Sequence, residues 1–163
     1  MLLFGQAVTW RNLMKKNLIV ALTASFLTLV PQAGKAADEF ATLLNFVEGK
    51  DLNDKGVQYY LSIRCASLYA YFSALMQGQD PKTSNAYANT AMALLEAAAI
   101  NSYSTNKDME KSFTYAQETL REIFDVYAAA SKKQYNLKGT YITPVIDSDM
   151  PVCKVIAENT STE

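Results

Sequence analysis

Histidine is missing from this chain of 163 residues. Its absence excludes Ser-His and Cys-His nucleophile pairs, histidine-ligated metal sites and covalent haem attachment. Glycine is also scarce, and the six glycines are too scattered to form a phosphate-binding loop. Because these absences remove most catalytic and cofactor motifs, we predict no catalytic residue, no cofactor and no metal site.

Carboxylates are the acid–base groups that remain, and the pair to consider is Asp147 and Asp149. Two carboxylates at a working separation serve in other proteins as general acid and base or bind calcium. Two acids so close in sequence near the end of a chain are more often a solvated turn, and the spacing of an EF-hand is absent around them. We therefore predict a non-enzyme, with a small carboxylate-dependent hydrolase of the cell envelope as the alternative.

Acidic residues are absent from the first 36 positions, which carry four basic side chains. Within this segment, an apolar run of 13 residues from Leu18 to Val30 follows Lys15 and Lys16 and precedes small residues. That order is typical of a secretory signal peptide. A membrane-spanning helix needs about 20 apolar residues, so this run is too short for a stable anchor.

Small residues before the cut place signal cleavage between Ala36 and Ala37, because Ala36 and Gly34 then occupy the two positions that require small side chains. Translation from Met14 would give a leader of ordinary length, which favours Met14 over Met1 as the true start. We predict an exported chain, periplasmic or extracellular, without a stable membrane anchor after cleavage.

The remaining residues, 37–163, hold 11 basic and 16 acidic side chains, a net charge of −5. A net negative chain without a Lys/Arg cluster argues against nucleic acid and against an anionic membrane surface as main partners. The length fits one modest domain. We expect a monomer or a small homo-oligomer.

The two cysteines, Cys65 and Cys153, are predicted to form a disulfide, since an even count in a small exported chain usually means a bridge. In the chain-entropy model a loop of this size stabilises a fold by about 4.6 kcal/mol. The alternative is a buried free thiol at Cys65 and an exposed one at Cys153. A thioredoxin-like role is not supported, because there is no Cys-x-x-Cys.

Apolar residues recur at helical spacing through most of the mature chain. The predicted helices cover about 40–47, 55–77 and 81–100, and a fourth runs from the polar break at 101–106 to 138. The long helices with short connections predict an all-α, four-helix up-and-down bundle over residues 37–138. Residues 139–163 are predicted to form an extended carboxyl-terminal tail, pinned across the second helix by the disulfide.

Arg64 is the only charged residue between Lys55 and Asp80 in the second helix, which is otherwise the least polar of the mature chain. Either its guanidinium reaches water while its stem lies along the core, or it is buried beside a carboxylate. Glu96 in the third helix is the candidate partner for a buried ion pair, with plain solvation as its alternative role.

Tyrosine is abundant, with ten in the chain. Four lie on the second helix and form a candidate partner face: Tyr59, Tyr60, Tyr69 and Tyr71. Such rings suit a binding surface because they combine apolar area with one hydrogen-bonding tip, and they equally suit the rim of a small core. We predict a non-catalytic binding or interaction protein of the cell envelope, whose partner is a protein or small-molecule ligand that the sequence does not identify.

Overall fold

The computed structural model describes residues 40–160. The predicted signal peptide, the predicted cleavage site and the choice between Met1 and Met14 as the start lie outside these residues. Five helices follow one another along the described part: α1 (Leu43–Val47), α2 (Lys55–Met76), α3 (Pro81–Asn106), α4 (Met109–Lys138) and α5 (Pro144–Thr160). The prediction of an all-α bundle is confirmed.

Aspartate caps fix the starts of the three longest helices. The side chains of Asp54, Asp80 and Asp108 each accept a hydrogen bond from a backbone N–H in the first turn of α2, α3 and α4. These caps satisfy donors that have no partner within the helix. At the other end of α4, Gly139 takes a left-handed conformation with φ of 71° and closes the helix.

The long helices α2, α3 and α4 run up, down and up. The hydroxyl of Tyr59 donates to Thr119, so the start of α2 lies beside the first half of α4. Near the far end of α2, the hydroxyls of Ser73 and Ser84 each donate to the other residue's carbonyl at 2.9 Å, so α2 and α3 approach closely where α3 begins. The core gathers around α2, which is buried through most of its middle.

The prediction of an extended tail is wrong, because residues Pro144–Thr160 form α5. The hydroxyl oxygen of Thr143 accepts a hydrogen bond from the backbone N–H of Ile146, as a helix cap does, and Pro144 occupies the first helical position, where its missing N–H is tolerated. Pro144 therefore begins a helix within the segment that was predicted to be extended. A second proline, Pro151, lies inside the same helix.

Candidate functional site

A disulfide joins the middle of α2 to α5. Cys65 and Cys153 are bonded, with their Cα atoms 5.1 Å apart, and both side chains are fully buried. This confirms the predicted pairing and the attachment of the carboxyl-terminal segment to α2. Because neither sulfur is exposed to solvent, the bond belongs to the core and not to a reactive surface.

Next to the disulfide, α2 and α5 share a buried ion pair between Arg64 and Asp149. Both side chains are at most 1 % exposed. The Nε and Nη2 atoms of Arg64 donate to Oδ2 of Asp149 at 3.0 and 2.6 Å. Two ions so far from water are tolerated only when they are paired and hydrogen-bonded.

Asp149 also connects two further elements. The hydroxyl of Tyr127 in α4 donates to its Oδ2 at 2.6 Å, and the backbone N–H of Leu43 in α1 donates to its Oδ1 at 2.7 Å. The carboxylate of Asp149 thus accepts hydrogen bonds from α1, α2 and α4 while lying on α5. Four separate helices meet at this one side chain.

Aromatic rings surround the guanidinium of Arg64. The Phe40 ring centroid lies 3.8 Å from its Cζ, a cation–π contact, and the hydroxyl of Tyr60 accepts from its Nη1 at 3.0 Å. Burial alone lowers the pKa of Arg64, but the neighbouring Tyr127 and Asp149 outweigh that effect and raise it. Desolvation in the same cluster raises the pKa of Tyr127 far above its usual value, so Tyr127 remains a neutral donor.

The predicted pair of Arg64 with Glu96 is wrong. Glu96 is exposed on α3, whereas the buried guanidinium faces Asp149. Of the two alternatives for Arg64, burial beside a carboxylate holds, with a different carboxylate. The solvated turn predicted for Asp147 and Asp149 is also wrong, because Asp147 is exposed in the first turn of α5 while Asp149 points into the core.

The cluster around Arg64 and Asp149 joins helices and presents no pair of free carboxylates. Both oxygens of Asp149 already accept hydrogen bonds, and Asp147 does not join it in the core. A general acid and base need a carboxylate pair that reaches a substrate. Within residues 40–160, no three Asp, Glu or Cys side chains gather as metal ligands.

The four tyrosines of the candidate partner face do not share one surface. Tyr59 stacks with Tyr115 of α4, and Tyr60 contacts Phe46 of α1. Tyr69 and Tyr71 are buried; the first packs on Tyr87 of α3 and the second on Phe124 of α4. These residues therefore surround α2 and belong to the core and its rim. The more exposed tyrosines lie on other elements: Tyr103, Tyr115, Tyr135 and Tyr141.

Sequence reasoning missed Asp149 and Tyr127 as the partners of Arg64. A helical pattern over 144–160 would have placed Asp149 one turn before Cys153 on the same face. Arg64 directly precedes Cys65, so the predicted disulfide itself implied that these two charges lie close together. The spacing of these residues from the two cysteines therefore indicated the ion pair, but the predicted extended tail did not place Asp149 on the same face as Cys153.

None of the helices in the described part of the chain combines the length and hydropathy needed to span a bilayer. Comparison with protein-family models, with curated proteins and with solved structures found no match.

Proposed function

We propose that this chain is an exported, non-catalytic binding protein of the cell envelope. The observation that carries the proposal is the buried Cys65–Cys153 disulfide, which forms and persists in oxidising compartments. The leader-like pattern of residues 1–36 supports the same compartment from the sequence. The non-catalytic part of the proposal is supported by Asp149, because both of its carboxylate oxygens accept hydrogen bonds that hold helices together.

Export and oxidation are tested together by intact-mass analysis of the full-length chain expressed in cells and recovered from the envelope fraction. We expect a mature chain that begins at Ala37 and takes up no alkylating reagent in denaturant until a reductant is added, after which it takes up two equivalents. A Cys153→Ser variant is the control, because its single thiol should react without reduction. Recovery of the intact chain from the cytosol with two free thiols would contradict the proposal.

The binding role is tested separately by photo-crosslinking from exposed positions in intact cells, beside a hydrolase screen on the purified protein. Specific adducts without turnover support a binding protein. Turnover that is abolished by Asp147→Asn, with the fold intact, would instead support the carboxylate-dependent hydrolase that the sequence left as the alternative.

A further inference from the structure

The end of α4 and the turn that follows form an exposed tip, residues 135–142, which we call the α4 tip. Every residue in this segment is exposed. Leu137 is 71 % exposed and Ile142 is 40 % exposed. Tyr135 and Tyr141 stack on each other across the turn, with ring centroids 4.3 Å apart. Large apolar side chains grouped in this way on a monomer commonly mark a contact surface.

The charge around the α4 tip differs from that of the rest of the molecule. The stretch 126–146 contains three lysines and no acidic residue, whereas the remaining described residues carry 8 basic and 13 acidic side chains. Lys138 lies within the tip and Lys132 lies just before it, and both are exposed. The net charge of the chain argued against an anionic membrane surface, but that value averages over the whole molecule and conceals a local excess of positive charge in residues 126–146.

We infer that the α4 tip is where this protein contacts an anionic lipid surface. The inference rests on the proposed binding role and names its partner. Aliphatic side chains enter the boundary between headgroups and acyl chains, tyrosines favour that boundary, and nearby lysines are attracted to anionic headgroups. The contact is peripheral and reversible, in agreement with the absence of a spanning helix from residues 40–160.

Shape and charge favour lipid over a small ligand at this position. The tip is a helix end and a turn with all residues exposed, so it offers side chains to insert and not a groove to fill. A surface depression of about 400 Å³ is lined by residues of the opposite half of α4, including Glu110 and Glu118. Its lining carries three acidic residues and one lysine, so it would attract anionic headgroups less than the lysine-bearing tip does.

A tryptophan reporter tests the inference cleanly, because the single tryptophan of the chain, Trp10, lies in the leader. The sample is residues 37–163, which contain the whole described core and its disulfide. Leu137→Trp places the reporter on the tip. Val155→Trp is the matched control, since Val155 is an exposed apolar residue on α5, outside the tip. Each variant is mixed with vesicles of phosphatidylcholine alone or of phosphatidylcholine with phosphatidylglycerol in equal parts.

We expect a blue shift of the Leu137→Trp emission with the anionic vesicles, none with neutral vesicles, and none for Val155→Trp. Removing the charges of Lys138 in the tip and of Lys132 just before it, with Lys132→Gln and Lys138→Gln, should weaken vesicle binding roughly 30-fold, since each lysine near such a surface contributes on the order of 1 kcal/mol. The Lys154→Gln variant on α5 should leave binding unchanged. Added salt should release the protein.

Three results would overturn the inference: no binding to either vesicle, equal binding to both, or the same shift from both reporters. Failure of the broader binding role is distinguishable. If the vesicles are not bound while photo-crosslinking from the tip captures a protein in cells, the lipid inference falls and the binding role stands. If both experiments fail, both proposals fall.

Discussion

Removing the negative charge of Asp149 should be among the most damaging single changes to this fold. Asp149→Asn keeps the size of the side chain but leaves the guanidinium of Arg64 buried without a counter-charge. It also turns an acceptor into an amide donor that faces the N–H groups of Arg64 or Leu43. Breaking a buried pair by removing one partner lowers stability by about 3–5 kcal/mol.

The loss expected for Asp149→Asn is large relative to the total free energy of unfolding. A domain of this length is expected to have an unfolding free energy of about 6–18 kcal/mol at roughly 0.05–0.15 kcal/mol per residue. With a urea dependence of about 2 kcal/mol per molar, the unfolding midpoint should fall by about 2 M. The assay is urea unfolding followed by far-ultraviolet circular dichroism, with the disulfide intact.

Asp147→Asn is the matched control, because it makes the same chemical change two residues away at an exposed position. Its midpoint should move several times less than that of Asp149→Asn. A cycle with Arg64→Met adds a second check, since removing both charges should cost less than the sum of the single changes. Equal midpoints for the two asparagine variants, or strictly additive losses in the cycle, would refute the account of the ion pair.

Three further predictions follow from features outside the ion pair. Replacing both Cys65 and Cys153 by serine should lower the unfolding free energy by up to about 4.6 kcal/mol, as measured by the same urea unfolding, and a loss under about 1 kcal/mol would contradict the role of the long loop. Gly139→Ala should destabilise by about 1 kcal/mol in thermal unfolding because its φ is 71°, whereas Gly78→Ala, at a residue without a positive φ, should not, and equal effects would contradict the helix-closing role of Gly139. The pKa of Tyr127 is higher in the folded protein than in the unfolded chain. Its contribution to the free energy of unfolding is therefore fully present below about pH 10 and declines as the pH rises above that value. Absorbance at 295 nm should therefore record the ionisation of Tyr127 only as the protein unfolds, and ionisation of every tyrosine while the protein is still folded would contradict this account.

Most of the fold was predictable because helical period and capping are local signals. The predicted starts of the second and third helices at residues 55 and 81 and the predicted end of the fourth at 138 agree with the structure. The end of α3 was not, since the polar run 101–106 continues the helix until Lys107 adopts a left-handed conformation with φ of 59°. Tyr103 is the one large apolar residue in 101–106, so these positions carry no apolar repeat that would predict a helix.

The candidate site was predictable only in part, because its partners are distant in sequence. The disulfide followed from cysteine count and compartment, but the partner of Arg64 depended on whether 144–160 is helical. Thr143 and Pro144 have the same cap-and-proline arrangement as Asp80 and Pro81, yet the β-prone residues before them favoured an extended segment. A single wrong local assignment therefore concealed a tertiary contact.

Because α1, α2 and α4 all contact Asp149 of α5, the core cannot reach its final packing before α5 has been synthesised. A growing chain that stops after α4 holds Arg64 without its counter-ion, Cys65 without its disulfide partner and helix α1 without the acceptor of its Leu43 N–H. For the export proposed above, such a precursor would be easier to translocate, since its final packing depends on the last helix. Quality-control proteases would likewise distinguish finished molecules from truncated ones, because only complete chains can hide that positive charge.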